Sequence, residues 1–422
     1  MVDRVEDQKE GSEPSEDSAA AEDWTDLSLR VGRVFTPTSP IDERSLFAGR
    51  DEQVRLIVDV INQKGQHAIL YGERGVGKTS IANVLASFLE KQASTILAPR
   101  VNCDSTDSYD SVWRKVFESI ELTKPRGVAG FGAVPQVQRS SVADMLTGPV
   151  TPNTVRRTLT TLAQQALLIV IVDEFDRLGQ EARRAFADTI KTLSDHAVGA
   201  SVVLVGVADS VEHLIEEHRS VERALVQVRM PRMSVAEIKS ILVRGTRILG
   251  MTMTATAVSR IAKLAQGLPH YAHLLGLYAA RSATADRRKN IDVQDIGVAI
   301  KRAISGAQQS IRSAYDIAVR SPRKDNLFGD VLLSCALAES NELGFFAAQD
   351  LREPMRKVTG RRYEIPSYAQ HLTEFCDDKR GHVLFKDGTR RRFRYRFVDP
   401  LLQPFVIMRG LDSKRISAEH LD

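Results

Sequence analysis

Residues 72–79 read GERGVGKT, follow the apolar run HAILY directly and precede the helical pattern SIANVLASFLE. A strand, a glycine turn and a helix in this order expose consecutive backbone N–H groups that bind phosphate oxygens. Lys78 would neutralise the β- and γ-phosphates, and the Thr79 hydroxyl would be a Mg²⁺ ligand. The segment therefore predicts binding of a nucleoside triphosphate, against the alternative of a chance glycine loop. The candidate contacts are Gly72, Glu73, Arg74, Gly75, Val76, Gly77, Lys78, Thr79 and Ser80.

A second motif, LLIVIVDEFDRL, lies about a hundred residues further on. Its continuous apolar run is typical of a strand buried on both faces of a parallel sheet, and ligand groups collect at the carboxyl ends of such strands. Asp173 is therefore the candidate Mg²⁺ carboxylate, and Glu174 the residue that polarises the attacking water. Asp176 and Arg177 have a simpler interpretation, in which they begin the next helix and pair on its surface.

Composition predicts a soluble cytoplasmic protein with no membrane partner. The 422 residues are 43% hydrophobic and 27% charged, enough for two or three domains, and no apolar stretch approaches the length of a membrane span. The acidic, Ser/Ala-rich N-terminus is unlike a signal or transit peptide. Three cysteines far apart in the chain favour neither a disulfide framework nor a zinc site.

Charge is segregated along the chain. Residues 1–26 are strongly acidic, and we expect residues 1–40 to form a disordered tail. Residues 123–153 are rich in Gly, Pro and Ser, and their composition predicts a long disordered loop or insertion. Between these segments, ILAPRVNC, ASVVLVGVADS and ALVQVRMP complete five strands with helical crossovers. The predicted fold class is α/β, with a parallel three-layer domain over residues 41–232.

From residue 234 the pattern becomes purely helical. Ser234 and Glu237 form a capping box, and apolar residues at three and four spacing continue through PHYAHLLGLYAARSAT and VQDIGVAIKRAI. We expect residues 233–320 to form a small helical lid over the nucleotide.

The C-terminal block carries a basic hairpin. Three predicted helices are followed by GHVLFKDGTRRRFRYRFVDP, which predicts a hairpin turning at Asp387-Gly388. Alternation puts Phe393, Tyr395 and Phe397 on one face, and the arginines on the other face can meet DNA phosphates or dock on protein. The candidate DNA residues are Arg390, Arg392, Arg394 and Arg396.

The chain resembles the AAA+ superfamily, in particular its origin-recognition and replication-initiation ATPases and the related STAND signalling ATPases. The segments that carry the resemblance are GERGVGKT, IVDEFDRL, VLVGVADS, EEHRSVERAL and GLPHYAHLL. The resemblance spans about residues 41–410. It implies ATP and ADP as ligands, Mg²⁺ as the cofactor, ATP hydrolysis, and a homo-oligomer or a partner AAA+ subunit. We expect the hydrolysis to be slow, because His270 stands where the family has an Arg that binds phosphates more firmly. It also implies a winged-helix domain over residues 325–412.

The resemblance assigns further site residues. Asp209 takes the sensor-one position, where the family usually has Asn, so an amide donor is replaced by a charge. Arg223 is similar to the arginine finger that reaches a neighbour's γ-phosphate, with Arg219 as the second choice. His270 stands where initiator ATPases carry the sensor-two Arg, and Pro269 matches the STAND proline that contacts the nucleotide.

Two function classes follow. The first is an ATP-switched factor that self-assembles and binds DNA through the winged helix. The second is a STAND-like switch that acts on an effector protein in phage defence or transposition targeting, without intrinsic DNA binding. A processive unfoldase or helicase is disfavoured because no pore loop with an aromatic residue can be placed.

Overall fold

The computed structural model describes residues 16–37, 49–92, 96–126, 136–208, 211, 221, 223–322, 326–389 and 392–421. Its strands are β1 (His67–Gly72), β2 (Ile96–Leu97), β3 (Arg100–Asn102), β4 (Glu121–Arg126), β5 (Gln136–Ser141), β6 (Leu167–Asp173), β7 (Ala200–Val207), β8 (Leu225–Arg229), β9 (Thr252–Met253), β10 (Asn290–Ile291), β11 (Phe346–Ala347), β12 (Leu384–Asp387) and β13 (Arg394–Phe397).

The helices are α1 (Glu16–Val34), α2 (Asp51–Ile61), α3 (Lys78–Gln92), α4 (Tyr109–Glu118), α5 (Pro152–Leu162), α6 (Gln180–Asp195), α7 (Val235–Ile248), α8 (Ala255–Leu264), α9 (Pro269–Ala285), α10 (Val293–Ser305), α11 (Gln309–Val319), α12 (Phe328–Leu337), α13 (Arg352–Thr359), α14 (Pro366–Glu374) and α15 (Leu402–Asp412). Among the described residues, no helix combines the length and the apolar character needed to cross a membrane.

A parallel sheet organises the first half of the chain, which confirms the predicted α/β fold class. Its order is β2-β6-β7-β1-β8, and β3 continues the edge position beside β6. The edge strand is split at Pro99, whose carbonyl still accepts from Ile171 N–H at 2.9 Å. In the central strands β6 and β7 almost every side chain is buried, because helices cover both faces of the sheet. The polar groups are therefore concentrated where the strands end.

The insertion predicted over residues 123–153 is partly wrong. Strands β4 and β5 pair antiparallel in register from Glu121–Ser141 to Arg126–Gln136, while residues 127–135 lie outside the described part of the chain. The segment after the hairpin is tied to α4, because Arg114 Nη2 donates to Gly148 O at 2.6 Å. A composition rich in Gly, Pro and Ser does not prevent a two-stranded ladder, since the backbone supplies its hydrogen bonds.

The helices predicted over residues 233–320 are present, whereas their role as a lid over the nucleotide stays a prediction. Ser234 caps α7 through the predicted box, in which its hydroxyl accepts from Glu237 N–H and the Glu237 carboxylate accepts from Ser234 N–H. Helices α7 to α10 pack as a bundle that continues one large apolar core. The C-terminal block contains the predicted helices α12, α13 and α14 and an antiparallel sheet of order β11-β13-β12. Helix α15, which no sequence pattern predicted, closes this block.

The predicted disordered tail is wrong for the described residues 16–37. Helix α1 contacts α9, and the spacing of Leu27, Val31 and Val34 places all three in the core. The acidic composition of the first 26 residues concealed this spacing. Composition averages all faces of a helix, so it does not reveal that one face is apolar.

Phe35 fixes the end of α1 in the lid. It is 1% exposed, and it occupies a slot between Gly245 of α7 and Gly276 of α9. A Cβ on either glycine would lie 2.7 or 2.8 Å from the ring, so only glycine allows this close approach.

We therefore expect Phe35→Ala to lower the free energy of unfolding by about 3–5 kcal/mol, since it removes a fully buried ring and leaves a cavity. Urea unfolding followed by circular dichroism measures this change. Leu29→Ala on the same helix is the matched control; because Leu29 is 62% exposed, its effect should stay within about 0.5 kcal/mol. Equal effects of the two substitutions would contradict the docking of α1.

Candidate functional site

The glycine loop joins β1 to α3 as the sequence predicts. Gly75 and Gly77 have φ angles of +84° and +96°, which residues with a Cβ rarely adopt. Arg50 supports the loop from behind, because its buried guanidinium donates through Nη2 to Val76 O at 3.2 Å and to Pro231 O. The loop is thus a rigid turn that opens towards the first turn of α3.

Lys78 is the buried cation of the loop. Its Nζ donates to Gly72 O at 2.9 Å and to Glu73 O at 2.7 Å. Burial lowers the pKa of Lys78 from 10.5 to about 8, an effect opposed by the nearby carboxylates, first Asp176 and then Asp173. A phosphate group would supply the negative charge that stabilises this ammonium.

The end of β6 carries the predicted acidic pair. Asp173 is 3% exposed, and its Oδ1 accepts from Glu174 N–H at 2.8 Å. Its Oδ2 pairs with Arg100 Nη2 at 3.0 Å. Glu174 has a left-handed backbone, φ +56° and ψ +34°, and its carboxylate pairs with Arg177 Nε at 3.2 Å. A left-handed non-glycine residue at a strand end is a form of strain found at functional sites.

The surface interpretation is wrong for Asp176, whereas Arg177 is exposed and does make a surface ion pair. Asp176 Oδ1 accepts from Val207 N–H at 2.7 Å and so connects the ends of β6 and β7. Arg177 pairs with Glu174 rather than with Asp176, and Asp176 and Arg177 both line the cavity over the glycine loop that is described next. The two side chains therefore belong to the site.

A cavity of about 640 Å³ lies over the loop. It is enclosed by the glycine loop, the ends of β6 and β7 and the start of α9. The segment after α1 and Leu401 of the C-terminal block complete its walls. Its lining residues are Thr36, Pro37, Arg74, Gly75, Gly77, Lys78, Thr79, Ser80, Asp173, Glu174, Asp176, Arg177, Gly206, Val207, Pro269, His270, His273, Gln308 and Leu401. Gly72, Glu73 and Val76 lie behind this wall rather than in it.

A second cavity of about 360 Å³ adjoins the first, and fewer charged side chains line it. The two share Thr36, Pro37, His270, Gln308 and Leu401. The inner part of the second cavity lies between α9 and α11, with Leu274, Leu277, Tyr278 and Ile311 among its walls. A cavity lined by many charged side chains beside one lined by few suits a ligand with a charged end and a less polar end.

The lid supplies Pro269 and His270, as the resemblance implies. A Cβ on Gly77 would lie 3.7 Å from Pro269 Cγ, so the proline packs directly on the loop. His270 Nδ1 donates to Pro37 O at 2.8 Å, and burial lowers its pKa. In this neutral form His270 offers only a lone pair at Nε2, which makes it a poor phosphate ligand compared with Arg.

Several site residues were not predicted from the sequence. His273 Nδ1 accepts from Thr36 N–H at 3.3 Å, so the segment assigned to a disordered tail is part of the site. Arg100, Gln308 and Leu401 also reach it from distant positions in the chain. The sequence contains only a weak indication of one of these residues: Arg100 is a charged residue inside an otherwise apolar strand pattern, ILAPRVNC.

Other predicted residues lie elsewhere. Asp209, Arg219 and Arg390 are outside the described residues. Arg223 precedes β8, is exposed and does not line the cavity; its carbonyl accepts from Gln66 Nε2 at 3.3 Å. Its finger role therefore stays a prediction that requires a neighbouring molecule.

The arginine hairpin follows the predicted alternation. Tyr395 and Phe397 are buried, whereas Arg392 and Arg394 are exposed. Arg394 pairs with Asp387 Oδ2 at 3.2 Å. Arg396 is half-buried, with its guanidinium 4.9 Å from the Phe345 ring and 5.2 Å from the Phe385 ring. The arginine face is thus partly engaged by its own domain.

The fold and the loop define a nucleotide-binding α/β domain, and residues 61–215 match the family model of the AAA domain. The Walker-type ATPase PABY2304 of Pyrococcus abyssi has a similar fold, with TM-score 0.51 and 18% identity over 88% of this chain and 99% of that chain. The Orc1 protein of Aeropyrum pernix, solved in complex with DNA, gives TM-score 0.47 and 17% identity over 90% and 96%. No curated protein matches the chain.

The residues present fit a nucleotide with Mg²⁺. The Thr79 hydroxyl and the Asp173 carboxylate line the same cavity as Lys78, and Mg²⁺ at nucleotides uses few protein ligands besides phosphates and water. The metal would supply charge neutralisation at the β- and γ-phosphates.

Lys78→Ala should abolish nucleotide binding, because it removes the cation buried beneath the phosphates. Glu174→Gln should retain binding and stop turnover, since it removes only a carboxylate able to polarise water. Titration with a fluorescent ATP analogue and a phosphate-release assay measure the two effects. Equal loss of binding in both variants would contradict this division of roles.

Nucleotide affinity should depend on pH through Lys78. Because its pKa is about 8, binding phosphates above that pH requires proton uptake, and affinity should fall by up to about tenfold per pH unit. The free energy of unfolding should rise over pH 8 to 10.5, since the unfolded chain then binds more protons.

Titration of the ATP analogue between pH 7 and pH 9.5 tests the affinity profile. Lys78→Arg keeps its charge throughout and should bind with a flat profile. His273 should not contribute, because burial lowers its pKa to about 4. A flat wild-type profile would show that Lys78 is not the titrating ligand.

Proposed function

We propose that this protein is an ATP-binding and ATP-hydrolysing switch in which the nucleotide sets the position of a DNA-binding C-terminal domain. The observation that carries the proposal is a buried chain of polar contacts from the glycine loop to α15. Arg232 Nε pairs with Glu73 Oε2 at 2.7 Å, and Arg232 Nη1 donates to Gln403 Oε1 at 2.6 Å. Gln403 Nε2 donates onward to Gln266 Oε1 at 3.2 Å and to Ala336 O at 3.0 Å.

Leu401 makes the same connection through apolar contact. A Cβ on Gly75 would lie 3.2 Å from Leu401 Cδ2, and Tyr271 OH donates to Leu401 O at 2.6 Å. The C-terminal block therefore touches both the loop and the lid. A change of ligand at the loop can therefore shift how the C-terminal block docks. A ligand displaces the equilibrium between two arrangements of the block by the difference in its affinity for them.

The paired cavities support ATP as the ligand. The first cavity holds the cation, hydroxyl and carboxylate that a triphosphate requires. The adjoining second cavity has fewer charged side chains and has Leu274, Leu277 and Tyr278 in its walls, so it can accommodate a purine base. ATP hydrolysis needs Glu174 to face the attacking water. Because the Glu174 carboxylate pairs with Arg177, that ion pair must open first, which supports slow turnover. The name of the Pyrococcus abyssi ATPase is consistent with this activity.

The DNA-binding proposal rests on the C-terminal block. Its helices α12 to α14 and three-stranded sheet follow the order of a winged helix, and β12 and β13 form the wing. Arg392 and Arg394 are exposed on that wing, where they can contact phosphates without reading bases. Glu374 and Asp378 near the end of α14 disfavour insertion of that helix into the major groove.

Self-assembly in the ATP state completes the proposal. Arg223 is exposed outside the cavity, so it can reach a nucleotide only on a second copy or on a partner AAA+ subunit. We expect this contact to require bound ATP, since the γ-phosphate is its target.

One observation favours the alternative, a STAND-like switch that acts on a protein partner. Basic residues of the C-terminal block are partly neutralised: Arg394 pairs with Asp387, Arg352 with Glu364 at 3.2 Å and Arg356 with Glu353 at 2.7 Å. Exposed ion pairs of this kind reduce the net positive potential that attracts DNA.

The triple substitution of Arg392, Arg394 and Arg396 by Ala separates the two functions. If the wing binds DNA, duplex affinity should weaken for every sequence, and the slope of log affinity against log salt should fall by about 0.9 per lost contact. Fluorescence anisotropy with labelled duplexes and ATP at several salt concentrations measures this slope. ATPase activity without DNA should hardly change, because the wing lies outside the nucleotide site.

A matched control replaces Arg312, an exposed arginine of α11 that is not part of the hairpin, and should leave duplex binding unchanged. If the wild-type protein shows no salt-dependent duplex affinity with ATP present, the DNA function is wrong and the protein-directed switch replaces it.

A further inference from the structure

Arg100 is the residue on strand β3 that reaches the acidic pair from outside the cavity. Strand β3 runs parallel to β6 with Asn102 opposite Asp173, which places Arg100 two residues earlier along the strand. Its Nη2 lies 3.0 Å from Asp173 Oδ2 and donates to Asn102 Oδ1 at 3.3 Å. Asp173 lines the cavity over the glycine loop and Arg100 does not.

This arrangement leaves Asp173 both neutralised and able to bind a metal. A carboxylate has about four lone-pair sites. One site of Asp173 accepts from Glu174 N–H and one faces Arg100, so about two of the four sites have no partner in these two contacts, and Asp173 lines the cavity together with Thr79. The guanidinium therefore leaves carboxylate lone pairs for a metal, and it places a full positive charge beside the acidic residue proposed as a metal ligand.

We infer that Arg100 is a built-in countercharge that lowers the affinity of the Asp173 site for a free divalent cation. The inference rests on the proposed function, and it adds a rule for loading: the metal binds together with the phosphates of the nucleotide rather than ahead of them. The phosphates supply the extra negative charge that outweighs the repulsion between Arg100 and the metal. Arg100 thus acts as a positioning residue through Asp173.

Mn²⁺ alone is the probe, and its binding to the full-length protein is followed by electron paramagnetic resonance without nucleotide. Arg100→Gln and Arg100→Met remove the charge and keep most of the volume. Both should bind Mn²⁺ more tightly than the wild type, on the order of tenfold, since one charge within about 4–6 Å changes the affinity of an ionic site by that amount or more. Arg100→Lys retains the charge and should remain close to the wild type.

Adding Asp173→Asn to each Arg100 variant should abolish the increase in Mn²⁺ affinity. This result would show that the increase depends on the Asp173 carboxylate. Thermal unfolding in EDTA checks that every variant is folded, and either neutral variant suffices for the test. Unchanged or weaker Mn²⁺ binding in a folded neutral variant would overturn the inference, as would an equal gain in Arg100→Lys. A separate titration with the fluorescent ATP analogue distinguishes the two failures, because absence of nucleotide binding by the wild type overturns the proposed function whatever Mn²⁺ does.

Discussion

Burial of the central strands on both faces is the constraint on which the site depends. Strands β6 and β7 consist almost entirely of buried apolar side chains, so a charged residue within them would lose its hydration without a partner. Charges are therefore displaced to the carboxyl ends of the strands, where Asp173 pairs with Arg100 and Asp176 accepts from the backbone of Val207. The same edge receives the glycine loop, which brings Lys78 next to these carboxylates.

The buried charges of this edge explain how the loop is connected to the remainder of the protein. Glu73 follows the last residue of β1, and its carboxylate is paired by Arg232, which also contacts Gln403 of α15. Removing one partner from such a buried network costs more than an exposed ion pair contributes. This network is the physical basis of the coupling that we propose between the glycine loop and the C-terminal block.

Strong local patterns predicted most of the fold. The strand–glycine loop–helix sequence around Lys78, the apolar run ending at Asp173 and the capping box at Ser234 each agree with the structure, because each is determined by residues close in sequence. The predictions that failed relied on composition. The acidic N-terminus concealed the apolar face of α1, and the Gly- and Pro-rich insertion concealed the β4–β5 hairpin. Helix α15 was missed because nearly all its residues are buried, so it has no polar face to reveal its period.

The sequence by itself determined the chemistry of the loop, the acidic pair at the end of β6 and the α/β class, since glycines, Lys78 and Asp173 carry their meaning in short motifs. Only the tertiary structure decided that Arg100 neutralises Asp173, that Thr36 and Pro37 close the site against His273 and His270, and that Leu401 lies over the loop. These contacts join residues tens to hundreds of positions apart. Their geometry depends on the packing of whole elements, which no local pattern of residues specifies.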